Sequence, residues 1–295
     1  MKNKFNIVVW GGSGFLGSHV CDQLSNLGNN VTIADIKESK FKKKNQKMVI
    51  ADVRSFKEVD QITKNQDYVY NFSGIADINE SNKFVDKTVD VNINGNLNLL
   101  RASVKNKIKR YIFASTVYVY SDSGGFYKCS KQACEKYIEE FNKQFNLNFN
   151  ILRFGTLYGP RSNLSNSINY FIHQILKNKT INYDGKAHSS REYIHVKDAA
   201  NISSLLLNQK YKNQHYTITG SQSLKVKETI HMISEILKKK NVKVKYNVGN
   251  KSDHYSMTPY SYVPYIGKKF TTNIQIDFGQ GIMQLVDEVI KNDYK

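Results

Sequence analysis

The stretch Asn6 to Val20, NIVVWGGSGFLGSHV, constrains this chain more than any other: an apolar run gives way to three glycines spaced by three, then to a helical pattern. Ile7, Val8, Val9 and Trp10 follow one another without alternation, which fits a strand covered on both faces, as in a parallel sheet. Gly11, Gly14 and Gly17 supply a tight turn, close approach of backbone, and close packing of a helix on the strand. Leu16, Val20, Leu24 and Leu27 share one face of a helix predicted to start near Gly14 and stop near Gly28. The free amides and positive end of its first turn favour an anion.

A second strand, Val31 to Ala34, ends at Asp35, eighteen residues beyond Gly17. That is close to the roughly 20 expected of a carboxylate that accepts hydrogen bonds from an adenosine ribose. Strand, glycine turn, helix and carboxylate-ending strand together predict a dinucleotide site. A carboxylate there repels a ribose phosphate, so NAD is expected over NADP; Lys37 and the run Lys42 to Lys44 are the features that favour NADP instead.

At 295 residues the chain can form one large domain, or a main domain with a smaller one. No apolar run reaches membrane-spanning length, and no signal peptide is expected because the first apolar run is short and ends in the glycine loop. Cys21, Cys129 and Cys134 are odd in number and lack metal-ligand spacing, so a reducing, cytoplasmic setting and no metal are expected. The formal charge of +18 first points to a polyanionic partner such as nucleic acid or an anionic membrane. The lysines are scattered, however, with short clusters at Lys42 to Lys44, Lys238 to Lys240 and Lys268 to Lys269, and no nucleic-acid motif accompanies them. A solvated lysine-rich surface is expected, with neither nucleic acid nor membrane as partner, and its field suits a dianionic cofactor and a diphosphate substrate.

Met48 to Ile50 reads as a third strand, which in a doubly wound sheet brings Asp52 and Val53 near the adenine; Asp52 could equally cap the helix that follows Ser55. A fourth strand, Tyr68 to Phe72, leads into Ser73, Gly74, Ile75 and Ala76, whose backbone would pass over the cofactor's ribose and phosphates. One long helix is predicted from about Ser81 to Lys105, with Val89, Ile93, Leu97 and Leu100 on one face and Asn92 pointing elsewhere. A fifth strand, Tyr111 to Ala114, runs into Ser115 and Thr116, and the helix FYKCSKQACEKYIEEF follows. Its Tyr127 and Lys131 are four residues apart and share a face. A phenol titrates near about 10 in water; a fixed ammonium beside it, with the nicotinamide charge, favours phenolate nearer neutral pH. Such a phenolate can take a proton from a substrate hydroxyl as hydride leaves the same carbon. Beyond it, helices are expected at Ile168 to Leu176, Val196 to Leu207 and Val226 to Leu237, and strands at Thr180 to Tyr183 and Tyr216 to Thr219, with Gly281 to Ile290 last. His195, in a further strand, reads as structural, and Cys129 as filler.

GGSGFLG, the Ser115 and Thr116 pair, Tyr127 with Lys131, LRFGTLYGPR from Leu152 to Arg161, and REYIHVKD from Arg191 to Asp198 occur in that order over nearly the whole chain. Together they resemble an extended short-chain dehydrogenase/reductase, and within that group the NAD-dependent epimerase/dehydratase family acting on nucleotide sugars. The resemblance implies an α/β fold: a Rossmann-type doubly wound parallel sheet with a smaller C-terminal α/β substrate domain. Residues 1–160 would form the NAD-binding part, with 191–220 returning to it, and 161–190 and 221–295 the nucleotide-sugar part. It implies Thr116, Tyr127 and Lys131 as the catalytic set. Thr116 would bind the sugar hydroxyl, Tyr127 would act as base and acid, and Lys131 would hold the nicotinamide ribose. Gly11, Ser13, Gly14, Phe15, Leu16, Gly17, Asp35, Ile36, Asp52, Val53, Phe72, Ser73, Gly74, Asn92 and Ser115 would line the cofactor with Tyr127 and Lys131. Ala76, Gly155, Thr156, Arg161 and Arg191 would join Thr116 at the substrate, Arg191 taking the diphosphate, a bidentate task that suits guanidinium.

Departures from the family pattern narrow the chemistry. Its 4,6-dehydratases carry Asp then Glu after the catalytic Thr, where this chain has Val117 and Tyr118, so dehydration is not expected. Its reductases generally use NADPH, which Asp35 disfavours. Oxidation of the 4-hydroxyl of a GDP-, UDP- or dTDP-linked sugar remains, as a 4-epimerase or 4-dehydrogenase in surface-polysaccharide sugar synthesis. A 4-keto reductase, a 4,6-dehydratase and a non-catalytic dinucleotide sensor are the alternatives. Only Ser121 to Phe126 separate Tyr120 from Tyr127, which implies an open pocket mouth and room for a bulkier sugar such as a heptose. The late arginine-bearing segment of relatives is replaced around Ser252 to Lys269, where His254, Tyr255, Tyr262, Lys268 or Lys269 would substitute. Relatives also pair the helices corresponding to Ser81–Lys105 and Tyr127–Phe145 across a dimer, so a homodimer is expected.

Overall fold

The computed structural model describes residues 4–183, 185, 188–246, 258, 268–269 and 276–293. The chain opens with β1 (Asn6–Trp10), α1 (Phe15–Asn26), β2 (Asn30–Asp35), β3 (Gln46–Ile50), α2 (Phe56–Thr63) and β4 (Tyr68–Asn71). Then come α3 (Ile78–Lys83), α4 (Val85–Thr88), a π-helical stretch Val89–Asn94, α5 (Gly95–Lys105), β5 (Arg110–Thr116) and α6 (Gly125–Phe145). The second half runs β6 (Phe149–Phe154), β7 (Thr156–Tyr158), α7 (Ser167–Asn178), β8 (Thr180–Tyr183), β9 (Ser190–His195) and α8 (Val196–Leu205). It continues with β10 (Gln214–Ile218), β11 (Ser223–Lys225), α9 (Val226–Ile236), β12 (Lys243–Tyr246), β13 (Lys268–Lys269) and α10 (Phe278–Asp293).

The main sheet has the order β13-β10-β6-β5-β4-β1-β2-β3, and every pair in it is parallel. The unalternating run at β1 follows from its place inside this sheet, where Ile7, Val8 and Val9 are wholly buried. On one face Val20 and Leu24 of α1 meet Ala199 and Ile202 of α8; on the other, Leu99 and Leu100 of α5 pack with Cys134 and Ile138 of α6. This is the doubly wound Rossmann arrangement, and it puts ligands at the carboxyl ends of the strands where the order reverses beside β1. The chain leaves the sheet after β6. β7 and β11 flank β9 in a small sheet, and β8 pairs with β12. A separate core of Ile168, Ile172, Ile230, Ile233, Ile282 and Leu285 joins α7, α9 and α10.

Three local departures from the sequence expectations have clear causes. The stretch from Ser81 to Lys105 is broken rather than one helix: Phe84, at φ −122° and ψ 68°, ends α3, and a π-helical turn replaces the α-helix over Val89–Asn94. Leu27 does not join the buried face of α1, because the helix ends before it and leaves it 44% exposed. The pattern argument assigns no strand to Phe149–Phe154, yet all six residues are buried. Asn150 and Arg153 obscure that strand in the sequence, and both are buried because each finds partners, Tyr211 O for Asn150 and Glu135 for Arg153.

Candidate active site

At the cofactor end, Gly11 has φ +75°, and a Cβ there would stand 2.5 Å from the carbonyl carbon of Phe72. A Cβ on Gly17 would stand 2.2 Å from the oxygen of Gly11. Side chains at these two positions would drive apart β1, the loop after β4 and the first turn of α1. Asp35 accepts from the amides of Ser13, at 3.0 Å, and Lys37, at 3.2 Å, while Ser13 Oγ donates to Lys37 O at 2.8 Å. Ser13, Gly14, Asp35, Lys37, Lys40 and Phe41 border a crevice of about 280 Å³. No side chain caps the N-terminus of α1, so the amides of its first turn face this crevice's end of the helix without an internal acceptor. A carboxylate at the end of β2 and amide donors at the start of α1 fit the ribose and pyrophosphate of a dinucleotide.

Neighbouring residues divide between this crevice and other duties. Arg54 forks onto Asp52 at 2.6–3.0 Å and holds its carboxyl below the usual carboxylate range. The cap on α2 is Ser55, which accepts from Glu58 N, so Asp52 does not serve that role. The side chain of Val53 is buried in the core against α5, while Ile36 is exposed and Phe15 stands edge-on to His19.

The carboxyl end of β5 delivers Ser115 and Thr116, both buried. Thr116 Oγ1 accepts from Tyr118 N at 3.2 Å, opening a tight turn over Val117–Tyr120, and it also hydrogen-bonds the Tyr127 phenol. Lys131 Nζ donates to Ala114 O at 2.8 Å and lies 5.8 Å from the centroid of the Tyr127 ring. Burial pulls the Lys131 amine down to about 8, which leaves it mostly an ammonium at neutral pH. Burial pushes the Tyr127 phenol up to about 12, against the pull of its bond with Thr116. The expected phenolate therefore needs more than the lysine: a further positive charge, such as that of an oxidised nicotinamide, must enter the site.

The loop after β4 is fixed above Lys131. Asn71 Oδ1 accepts from the amide of Ser73 at 3.1 Å and from its hydroxyl at 2.6 Å. Asn92, turned inward by the π-helical stretch, accepts from Ile75 N at 2.7 Å and donates to Ile75 O at 3.0 Å. It also donates to Ser130 Oγ at 2.9 Å, and Ser130 donates in turn to Tyr127 O at 2.8 Å. Ser130, Glu135 and Arg153 escaped the sequence reading. For the first two the available signal was their place on the same helix as Tyr127 and Lys131; for Arg153 it was a charged residue inside an apolar run.

The anticipated substrate residues are spread more widely. Gly155 links β6 to β7 and donates to Ile218 O at 3.0 Å; Thr156 is half-buried in β7, and Ala76 is exposed. Arg191 is buried in β9, with Nη1 donating to Ser190 O at 3.0 Å. Arg161 is grouped with the cofactor crevice: its guanidinium lies 2.8 Å from Asp22 of α1 and 4.5 Å from the Phe41 ring centroid, and its amide donates to Glu288 of α10. His254, Tyr255 and Tyr262 lie outside the described residues, and Lys268 and Lys269 form β13. His195 is buried beside Tyr158, with neither ring nitrogen partnered among the described residues and its pKa lowered to about 4 by burial. Cys129 is exposed rather than filling space, Cys21 and Cys134 are buried, and all three are free. Among the described residues no cluster suits a metal ion, and no helix is long and apolar enough to cross a membrane.

Comparison with known proteins places this arrangement. The family model described as "NAD dependent epimerase/dehydratase family" matches residues 7–219. A Methanocaldococcus jannaschii protein provisionally named a UDP-glucose 4-epimerase is 28% identical over 251 residues, 77% of this chain and 81% of that protein. The UDP-N-acetylglucosamine 4-epimerase of Methanobrevibacter ruminantium, solved with UDP-N-acetylmuramic acid, superposes with a TM-score of 0.84 at 25% identity, covering 98% and 99% of the two chains. The Thermotoga maritima UDP-glucose 4-epimerase, solved with UDP-glucose, shares the fold with a TM-score of 0.85 at 23% identity over 97% and 99%.

Proposed function

The chain belongs to the NAD dependent epimerase/dehydratase family, and from that premise we propose that it is a 4-epimerase of a UDP-linked sugar. The observation that carries this reading is the meeting of Thr116, Tyr127 and Lys131 at the end of β5, beside the loop after β4. Gly11, Ser13 and Gly14 would hold the pyrophosphate of NAD, Asp35 its adenosine ribose, and Lys131 its nicotinamide ribose. When bound, NAD supplies the hydride acceptor and, on the return, the hydride donor. Thr116 orients the sugar 4-hydroxyl through its own hydroxyl. Tyr127 takes the proton of that hydroxyl as the C4–H bond breaks, and gives it back once the sugar has presented its other face. Lys131, held by Ala114 O, stabilises the phenolate between the two transfers. Neither Val117 nor Tyr118 offers a carboxyl to eliminate water, so the 4-keto sugar returns to an alcohol instead of dehydrating.

The same reading covers assembly and setting. Phe84 between α3 and α4, Val89 of the π-helical stretch, and Phe126, Tyr137 and Phe145 of α6 are exposed, and we assign this face to a homodimer interface. Three free cysteines fit a reducing cytoplasm, and the product fits surface-polysaccharide synthesis. The reading is tested by incubating NAD-loaded protein with UDP-glucose, UDP-N-acetylglucosamine and GDP- and dTDP-linked sugars, with products identified by NMR. The 4-epimer of a UDP-sugar without net NADH is expected. Net NADH with a 4-keto product would make it a dehydrogenase, and no conversion of any sugar would contradict the assignment. Sedimentation tests the dimer, and a monomer at all concentrations would exclude it.

A further inference from the structure

Directly behind the reaction centre lies a buried ion pair that the mechanism above does not use. Arg153 Nη2 donates to Glu135 Oε2 at 2.7 Å and Nε to Oε1 at 3.0 Å, with side-chain exposures of 4% and 6%. Glu135 also accepts from Ser115 Oγ at 2.5 Å. Arg153 also donates to the Tyr120 hydroxyl at 2.5 Å and lies 4.8 Å from that ring's centroid, and the same hydroxyl is 3.3 Å from Thr217 Oγ1. Buried pairs of this kind are often replaceable by apolar side chains without loss of stability, so stability alone is a weak reason for one. Its location offers a better reason. Ser115 precedes Thr116, Glu135 follows Lys131 by one turn of α6, and Tyr120 ends the turn that Thr116 opens.

We propose that Glu135 and Arg153 are positioning residues: the pair locks the Thr116 end of β5 to the Lys131 turn of α6, and the Glu135 charge keeps Lys131 an ammonium beside Tyr127. This rests on the reading of Tyr127 as the base. The groups that face Lys131 leave this task to Glu135. From α6 it meets Tyr127, the Cys134 thiol and Glu135; from β5, Ala114 O and the Phe113 ring; Arg153 of β6 and Tyr120 lie behind Glu135. The π-helical stretch contributes Asn92, whose carbonyl accepts from Cys134 Sγ and whose side chain is neutral. Burial works against the ammonium, and Cys134 and then Glu135 oppose that pull; burial pushes the Cys134 thiol up to about 12 and so keeps it neutral, which leaves Glu135 as the anion beside Lys131. Arg153 in turn fixes the Glu135 carboxylate through its two-point contact from Nε and Nη2.

The test is the Tyr127 titration itself, which does not require the natural sugar. Tyrosinate absorbance of the NAD-loaded protein is followed against pH, and the Y127F trace is subtracted to isolate this one phenol. E135Q removes the charge but keeps an acceptor; with Lys131 losing its counter-charge, the Tyr127 transition is expected to rise by about one pH unit, a tenfold loss of phenolate at neutral pH. E135Q/R153Q removes both charges of the pair together and is the variant to read where E135Q does not fold. Because Glu135 is the nearer charge, its transition is expected to rise by about half as much. A purely structural pair would lower the melting temperature and leave the transition in place, so a folded variant that titrates with wild type overturns the proposal. A wild-type protein whose Tyr127 shows no transition below about 10, the ordinary phenol value, overturns the catalytic reading itself, and this one with it.

Discussion

Asp35, at the end of β2, accepts a hydrogen bond from the amide of Ser13 in the glycine loop at 3.0 Å. The bond ties the second strand to the turn that begins the crevice, and on the proposed reading it holds a carboxylate where the adenosine ribose of NAD would sit. Asp35→Ser keeps an acceptor for Ser13 and removes the charge. Its preference for NADH over NADPH should fall about tenfold to a hundredfold, or about 1 to 3 kcal/mol, because a phosphate would no longer meet a carboxylate beside Lys37 and Lys40. Fluorescence titration with the two reduced cofactors measures the ratio; an unchanged ratio would remove Asp35 from the site.

Gly17→Ala places a methyl 2.2 Å from Gly11 O, backbone against backbone, with no flexible group to yield. The expected cost is about 1 to 3 kcal/mol of stability, together with a displaced glycine loop. Wild-type protein should melt higher with saturating NAD, and this variant should lose that increment. A variant that keeps the full increment would show that the loop does not carry the cofactor.

Acid stability depends on two buried histidines. Burial lowers His19 and His195 from 6.5 to about 4, so between those values the unfolded chain binds protons that the folded chain refuses. Stability contributed by the neutral rings is fully present above about 6.5 and is lost as pH falls toward 4, up to about 3 kcal/mol for each ring. His195→Gln should flatten the decline of melting temperature between pH 6.5 and 4 relative to wild type. An identical slope would mean that His195 does not titrate with unfolding.

Much of this was legible in the sequence because it rests on short-range chemistry. The unalternating β1, the glycine spacing and the terminal Asp35 state a parallel sheet and a dinucleotide turn within about thirty residues. The four-residue spacing puts Tyr127 and Lys131 on one helix face. Less legible were features set by distant partners. The buried Asn150 and Arg153 disguise β6 because their partners, Tyr211 and Glu135, lie elsewhere in the chain. The π-helical turn that swings Asn92 onto Ile75 leaves no mark in the periodicity. Arg161 reads as a substrate arginine from its motif, whereas Asp22, 139 residues earlier, draws it to α1. Burial also sets the Tyr127 phenol near 12, which no spacing argument could supply.

Exchange of Tyr127 for phenylalanine, with turnover of the UDP-sugar measured beside NAD affinity, tests the central claim most directly. The Tyr127 phenol, hydrogen-bonded to Thr116, is the group that the proposed mechanism has take and return the proton, so turnover should fall by about a hundredfold to ten-thousandfold while NAD affinity stays within a factor of about three. A Y127F protein that turns the sugar over at the wild-type rate would contradict the mechanism outright.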